Sequence, residues 1–160
     1  MSPDEVAHRF ERGSVHVEVL GPDGLGDRSD LRTTGRATTI ETRGGTQALQ
    51  RAERVPVRHG DRVVYVPRPN LLGPIVIKAA AVHNDPHPQR HVRDVALLCS
   101  IVADPRTMHA QMTAKDLQRL RAVTVLDDPT NEAWRLLDDP QLGYTAFRIL
   151  TAPAMPGQRG

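Results

Sequence analysis

Two charged residues stand inside apolar helical frames, Lys78 in LLGPIVIKAAAV and Asp94 in HVRDVALLCSIVA. Of the 21 cationic residues only Lys78 and Lys115 are lysine. A chain that otherwise writes arginine has placed a compact ammonium here, a point charge that approaches phosphate closely where arginine offers a planar fork. An unpaired lysine taken fully out of water loses its proton. Lys78 therefore lines a cleft as a phosphate binder, snorkels past the helix surface, or takes a structural partner. Asp94 can orient a lysine on a neighbouring helix, accept a proton from a nucleophile, or serve as a first-turn aspartate favoured by the helix dipole. Asp94 is the expected partner of Lys78, and Asp85 is its rival.

The elements that must hold these residues fall into two halves. Ser14 to Leu20 alternates Val15, Val17 and Val19 against polar neighbours, the period of a strand with one buried face. Ala37 to Arg43 is rich in β-branched residues and reads as a second strand. Val55–Val57 and Arg62–Val66 flank a short loop containing Gly60, which predicts a hairpin. Thr46 to Glu53 is ambiguous between strand and helix. From Gly73 onward the period becomes helical. Pro74 reads as the first residue of a helix whose apolar stripe is Ile75, Val76, Ala79 and Val82. A second helix is predicted from near Pro88 to about Ala103. Asp104-Pro105, Asp128-Pro129 and Asp139-Pro140 each match an aspartate cap followed by proline, and Thr113 with Asp116 resembles a capping box. The expected class is α+β, a small, mostly antiparallel sheet over residues 1–69, a helical half of five or six helices over 70–152, and a flexible tail over 153–160.

Other constellations are less telling. His83, Asp85, His87 and His91 crowd HNDPHPQRH with zinc-type donors, but Pro86 and Pro88 prevent one helix from stacking them, so a solvated loop is the better reading. GPDGLG lacks the strand-to-helix context and third glycine of a dinucleotide fingerprint and reads as a turn. Cys99, the only cysteine, lies in VALLCSIVA as a small buried hydrophobe. Residues 28–68 hold nine arginines against four acids, a surface that is either simply solvated or faces a polyanion such as a nucleotide or RNA. Aromatic residues are 3% of the chain, which disfavours base-stacking platforms. The longest apolar run, Leu71 to Val82, is too short and too interrupted to span a bilayer, and MSPDEVAHRFERG has no signal-peptide core. The sequence reads as a cytoplasmic protein of 160 residues without a membrane span.

An apolar helix carrying Lys78 and Ala81, a short polar loop, then Arg90 before Asp-aliphatic-Ala-Leu-Leu at Asp94 resembles the AbiEii-like nucleotidyltransferases, the toxin half of one class of toxin and antitoxin systems. RFERGSVHVEVLGPDGLG is similar to the strand that carries the third acidic residue in that superfamily, which places Glu18 at the acidic position. The resemblance covers about Arg9 to Ala103. It implies an incomplete nucleotidyltransferase-like fold, catalytic roles for Glu18, Lys78 and Asp94, nucleotide binding by Lys78 and Arg90, and a metal contact at Glu18. Complete relatives use a nucleoside triphosphate and Mg²⁺ to transfer a nucleotidyl group to RNA or another acceptor, so nucleotide, RNA and a cognate antitoxin are the implied partners.

The chain also departs from the pattern. No Asp-x-Asp follows Gly13-Ser14, and Glu18 stands where aspartate is more usual. His91 replaces an acidic residue three before the second-helix aspartate, and Asp85 replaces an arginine late in the lysine helix. Without the Asp-x-Asp pair most of the charge that would hold bridging cations is missing. The expectation is a truncated or catalytically impaired relative, a C-terminal part of a longer enzyme. The alternative is a non-catalytic nucleic-acid-binding or protein-interaction module that uses the basic Arg28–Arg68 surface.

Overall fold

The computed structural model describes residues 9–24, 32 and 38–153. The class is α+β, and helix outweighs strand. Two compact units divide the chain, Met1–Arg68 and Pro69–Gly160.

Among the described residues of the first unit the strands form three two-stranded pieces rather than one sheet. β1 (Arg9–Arg12) pairs antiparallel with β2 (Val15–Glu18), with Arg9 opposite Glu18. β3 (Gly21–Pro22) and β4 (Glu41–Thr42) make a short parallel contact, so the strand expected over residues 37–43 is reduced to its end. The ambiguous segment becomes helix α1 (Gly45–Gln50), whose Thr46 N–H donates to Asp23 Oδ1 at 3.1 Å. It is followed at once by β5 (Ala52–His59). A two-residue connection, Gly60-Asp61, leads into β6 (Arg62–Pro69), and Gly60 at φ 57° supplies the positive φ of a primed hairpin turn. The predicted hairpin is present, and longer than its apolar runs. Pro56 and Pro67 sit within it because both strands of a two-stranded ribbon are edges.

The expected buried face of the first strand is absent. Every residue of β2 and of β6 is exposed, including Val15, Val17, Val63 and Val64. Alternation records which side chains share a face. It does not supply the layer that covers them.

The helical unit has a true core. α2 (Leu72–Ala81), α3 (Gln89–Ser100), α4 (Pro105–Ala110), α5 (Ala114–Arg121), a 3₁₀ turn (Thr124–Asp127), α6 (Glu132–Arg135) and α7 (Pro140–Leu150) enclose Ile75, Val95, Cys99, Leu120, Leu126, Trp134 and Phe147. α2 starts at Leu72, two residues earlier than predicted. Proline is tolerated at the third helical position because its missing N–H is one of the first four that have no intrahelical acceptor. α3 ends at Ser100 rather than near Ala103, since Asp104 must leave the helical conformation to cap α4 through Arg106 N and Thr107 N. Asp139 caps α7 in the same way. The third pair, Asp128-Pro129, does not begin a helix. Asp128 accepts from the Thr130 N–H and hydroxyl, and α6 begins later behind Asn131. At Gly143 a Cβ would come within 3.1 Å of the Trp134 ring and 3.3 Å of Ser100 Cβ, so glycine here lets α7 close on α3.

The capping box of α5 is formed and fully buried at its acidic end. Asp116 Oδ2 accepts from Thr113 N and Thr113 Oγ1, both at 2.8 Å, and the hydroxyl accepts from Asp116 N. Asp116→Ala takes the buried carboxylate acceptor from the Thr113 N–H and hydroxyl and removes one half of the capping box, so it should cost about 1–3 kcal/mol in thermal unfolding. A loss within the ±0.5 kcal/mol of ordinary surface changes would contradict this role.

Among the described residues no helix is long and apolar enough to cross a membrane. The predicted flexible tail falls almost wholly outside the described residues, as does part of the Arg28–Arg68 basic stretch.

Candidate functional site

Lys78 lies in the last turn of α2, where a cation is favoured by the helix dipole. Asp94 is the sixth residue of α3, past the first turn, so the N-terminal dipole does not explain it. The seven residues of residues 82–88 turn the chain back, and α2 packs directly on α3. The result is an ion pair with Lys78 Nζ 2.6 Å from Asp94 Oδ2. The two side chains are 37% and 39% exposed, so Lys78 is not enclosed as its apolar neighbours suggest. Ile75, Val76, Ala79 and Ala80 take the core side of α2, and the ammonium emerges at its rim.

A second carboxylate stands beside this pair. Asp85 Oδ2 binds His91 Nε2 at 2.9 Å and the guanidinium of Arg90, while Asp85 Oδ1 accepts from the His87 N–H at 2.7 Å. The rival partner of Lys78 is thus committed elsewhere. His91 is buried, its Nδ1 has no hydrogen-bond partner, and that atom lies 4.0 Å from Asp94 Oδ2. Lys78, Asp94, His91, Asp85 and Arg90 lie side by side along the α2–α3 edge. The proline-bounded loop makes this possible by returning Asp85 toward the first turn of α3. The His91–Asp85 contact was not foreseen; its sequence signal is the crowding of His83, Asp85, His87 and His91 in HNDPHPQRH.

The hydrogen bond from His91, then that from the His87 backbone and that from Arg90, hold the Asp85 carboxyl well below the usual carboxylate range. Its ionised form is therefore favoured by folding. The resulting stability is fully present above the unfolded value near pH 4 and drains away as pH falls toward the lower folded value. Asp85→Asn should leave a stability deficit near neutral pH that shrinks on acidification below pH 4 in denaturant titrations. A deficit that stays constant or widens in acid would have the wrong sign for this account.

Glu18 belongs to the first unit, at the end of β2. Its Oε1 receives Arg9 Nε at 3.1 Å and Arg9 Nη2 at 2.5 Å from the facing strand. The structure thus brings together Lys78 and Asp94, and reaches Arg90 through His91 and Asp85, while Glu18 is held in a cross-strand pair of its own. These donors do not fit a divalent cation. Each carboxylate of the proposed set already carries a cationic partner, and no group of three His, Cys, Asp or Glu side chains among the described residues is disposed to hold a metal.

Cys99 is fully buried in the α3 core, and burial pushes its thiol up to about 12. The thiolate needed for alkylation is absent near neutrality. Iodoacetamide should leave the native chain unmodified and label Cys99 once denaturant is added; fast native labelling would refute its placement in the core.

No protein-family model, curated protein or solved structure matches the chain.

Proposed function

We propose that this chain is a nucleotidyltransferase-like protein of the AbiEii type, which engages the phosphates of a nucleoside triphosphate through Lys78, with Arg90 as a second cation, and which has little or no transfer activity by itself. The carrying observation is the Lys78–Asp94 ion pair across adjacent helices. Half-exposed, it leaves the ammonium open to a competing anion. Asp94 orients the lysine until phosphate takes over one of its three N–H donors.

Two departures from the family pattern fall together. The arginine late in the lysine helix is replaced by Asp85, and the acidic residue three before Asp94 by His91. These two replacements meet at 2.9 Å. Asp85, in the loop after α2, and His91, in the first turn of α3, thus share one hydrogen bond.

The impairment follows from the absent Asp-x-Asp pair. Incubated with labelled nucleoside triphosphates, Mg²⁺ or Mn²⁺ and total RNA, the chain should transfer no label above a blank. Robust transfer that vanishes in Glu18→Ala would overturn the impairment and make Glu18 catalytic. In a cytoplasmic toxin and antitoxin setting the natural partner of such a protein is its cognate antitoxin.

A second reading is favoured by one feature. The β5–β6 ribbon is exposed along almost its whole length and carries Arg54, Arg58, Arg62 and Arg68, with Arg54 5.0 Å over the Tyr65 ring and Arg68 paired to Glu53. The arginines of such a ribbon can pair with nucleic-acid phosphates, a contact without sequence preference. On this reading RNA binding is steeply salt-dependent and insensitive to Lys78→Met.

A further inference from the structure

The helical unit contains a cavity of about 740 Å³ between α4 and α7. That volume falls within the range of small-molecule sites, about 300–1,000 Å³. Arg106, His109, Tyr144, Thr145, Arg148 and Ile149 are among the residues that line it, and no Asp or Glu is. The wall is mostly apolar, with two guanidiniums, an imidazole and the Tyr144 phenol as its ionisable groups.

The surrounding acids are already engaged. Asp127 Oδ1 accepts from Arg148 Nη1 at 2.8 Å, and the Asp127 carbonyl accepts from the Tyr144 hydroxyl at 3.2 Å, so the 3₁₀ turn fixes both side chains in place. Arg148 keeps its remaining N–H donors. Asp104 is occupied by the first-turn N–H groups of α4 and by the Thr107 hydroxyl. The carbonyl end of α7 would oppose an anion, but it is covered. Leu150 O faces His109 Nδ1 at 3.0 Å, and Arg121 Nε donates to Thr151 O at 2.9 Å. A carbonyl can only accept, so Nδ1 of His109 donates to it. Arg106 has no acidic side chain in salt-bridge contact among the described residues.

We propose that this cavity binds a small organic anion with an apolar body, a carboxylate or a phosphate monoester, whose charged head meets Arg106 and Arg148 and whose body covers Ile149 and the Tyr144 ring. Charge sign decides the class: Arg148 is already paired with Asp127, but a neutral ligand would leave the Arg106 guanidinium unanswered, and a cation would face it directly. The site shares no residue with the Lys78–Asp94 pair and stands whether or not that pair binds a triphosphate.

The test is calorimetric titration of the full chain with hexanoate, hexyl phosphate and hexanol. At least one of the two anions should bind saturably, one per chain, about tenfold or more tighter than hexanol, the margin of one charge-assisted hydrogen bond. Whichever anion binds tighter names the head group. Arg106→Gln should erase the margin, Thr145→Trp should fill the cavity and remove binding, and Lys115→Met, an exposed cation outside the cavity, should change nothing. Circular dichroism checks both cavity variants, and should Thr145→Trp unfold, Arg106→Gln at its exposed position decides. Hexanol binding as tightly as both anions, anion binding untouched by Arg106→Gln, or no binding of either anion at millimolar concentration would each overturn the proposal.

Discussion

Trp134→Ala should destabilise the helical unit by about 3–5 kcal/mol, the range for removing a large aromatic from a core that collapses incompletely. The ring is fully buried, its centroid lies 5.9 Å from those of both Tyr144 and Phe147, and its Nε1–H donates to the Leu126 carbonyl at 3.3 Å. Truncation therefore opens a cavity, ends both aromatic contacts and strands a buried acceptor. Single domains hold only about 5–15 kcal/mol in total, so the variant should be near the edge of folding. Because Trp134 is the only tryptophan, helical circular dichroism in denaturant is the readout. A loss below about 1 kcal/mol, the size of an average point mutation, would mean that the core is not organised around this ring.

Lys78→Met should have the largest effect on ligand binding. It keeps the alkyl stem against α2 and deletes the charge, so triphosphate affinity should fall by about tenfold or more, the worth of a charged hydrogen bond to phosphate. Stability should change little. The Lys78–Asp94 pair is more than a third exposed on both sides, and such pairs contribute about 0–1 kcal/mol. Asp94→Ala should for the same reason cost about 1 kcal/mol at most, rather than the roughly 3 kcal/mol of an uncompensated buried charge. Nucleotide titrations and thermal melts of both variants separate the two effects. Equal triphosphate binding by wild type and Lys78→Met would return Lys78 to a purely structural part.

The helical half was legible because its signals are local. The apolar stripe of α2, the aspartate caps at Asp104 and Asp139 and the Thr113–Asp116 box each depend on residues within one or two turns. Asp128-Pro129 misled because an aspartate that accepts from the N–H two residues on looks the same in sequence whether a helix or a plain turn follows. In the strand half, the alternation of Val15, Val17 and Val19 located β2 but not its environment, since burial of a strand face depends on another layer. At the candidate site, Lys78 and Asp94 were legible as charges out of place in apolar frames. Asp85 and His91 were not, because their contact depends on how the loop through Pro86 and Pro88 folds back, which no periodicity encodes. The same lack of locality hid the α4–α7 cavity, whose arginines lie 42 positions apart in sequence.

The account turns on whether the Lys78 ammonium is where a triphosphate binds, and the chain carries its own control. Lys78 and Lys115 are the only two lysines, and Lys115 is exposed on α5. Acetylating the wild-type chain with and without a saturating nucleoside triphosphate, and reading both lysines by mass spectrometry, tests the claim in one experiment. The account predicts that nucleotide slows modification of Lys78 and leaves Lys115 unchanged. Identical Lys78 modification with and without nucleotide, under conditions where binding is independently saturated, would contradict it.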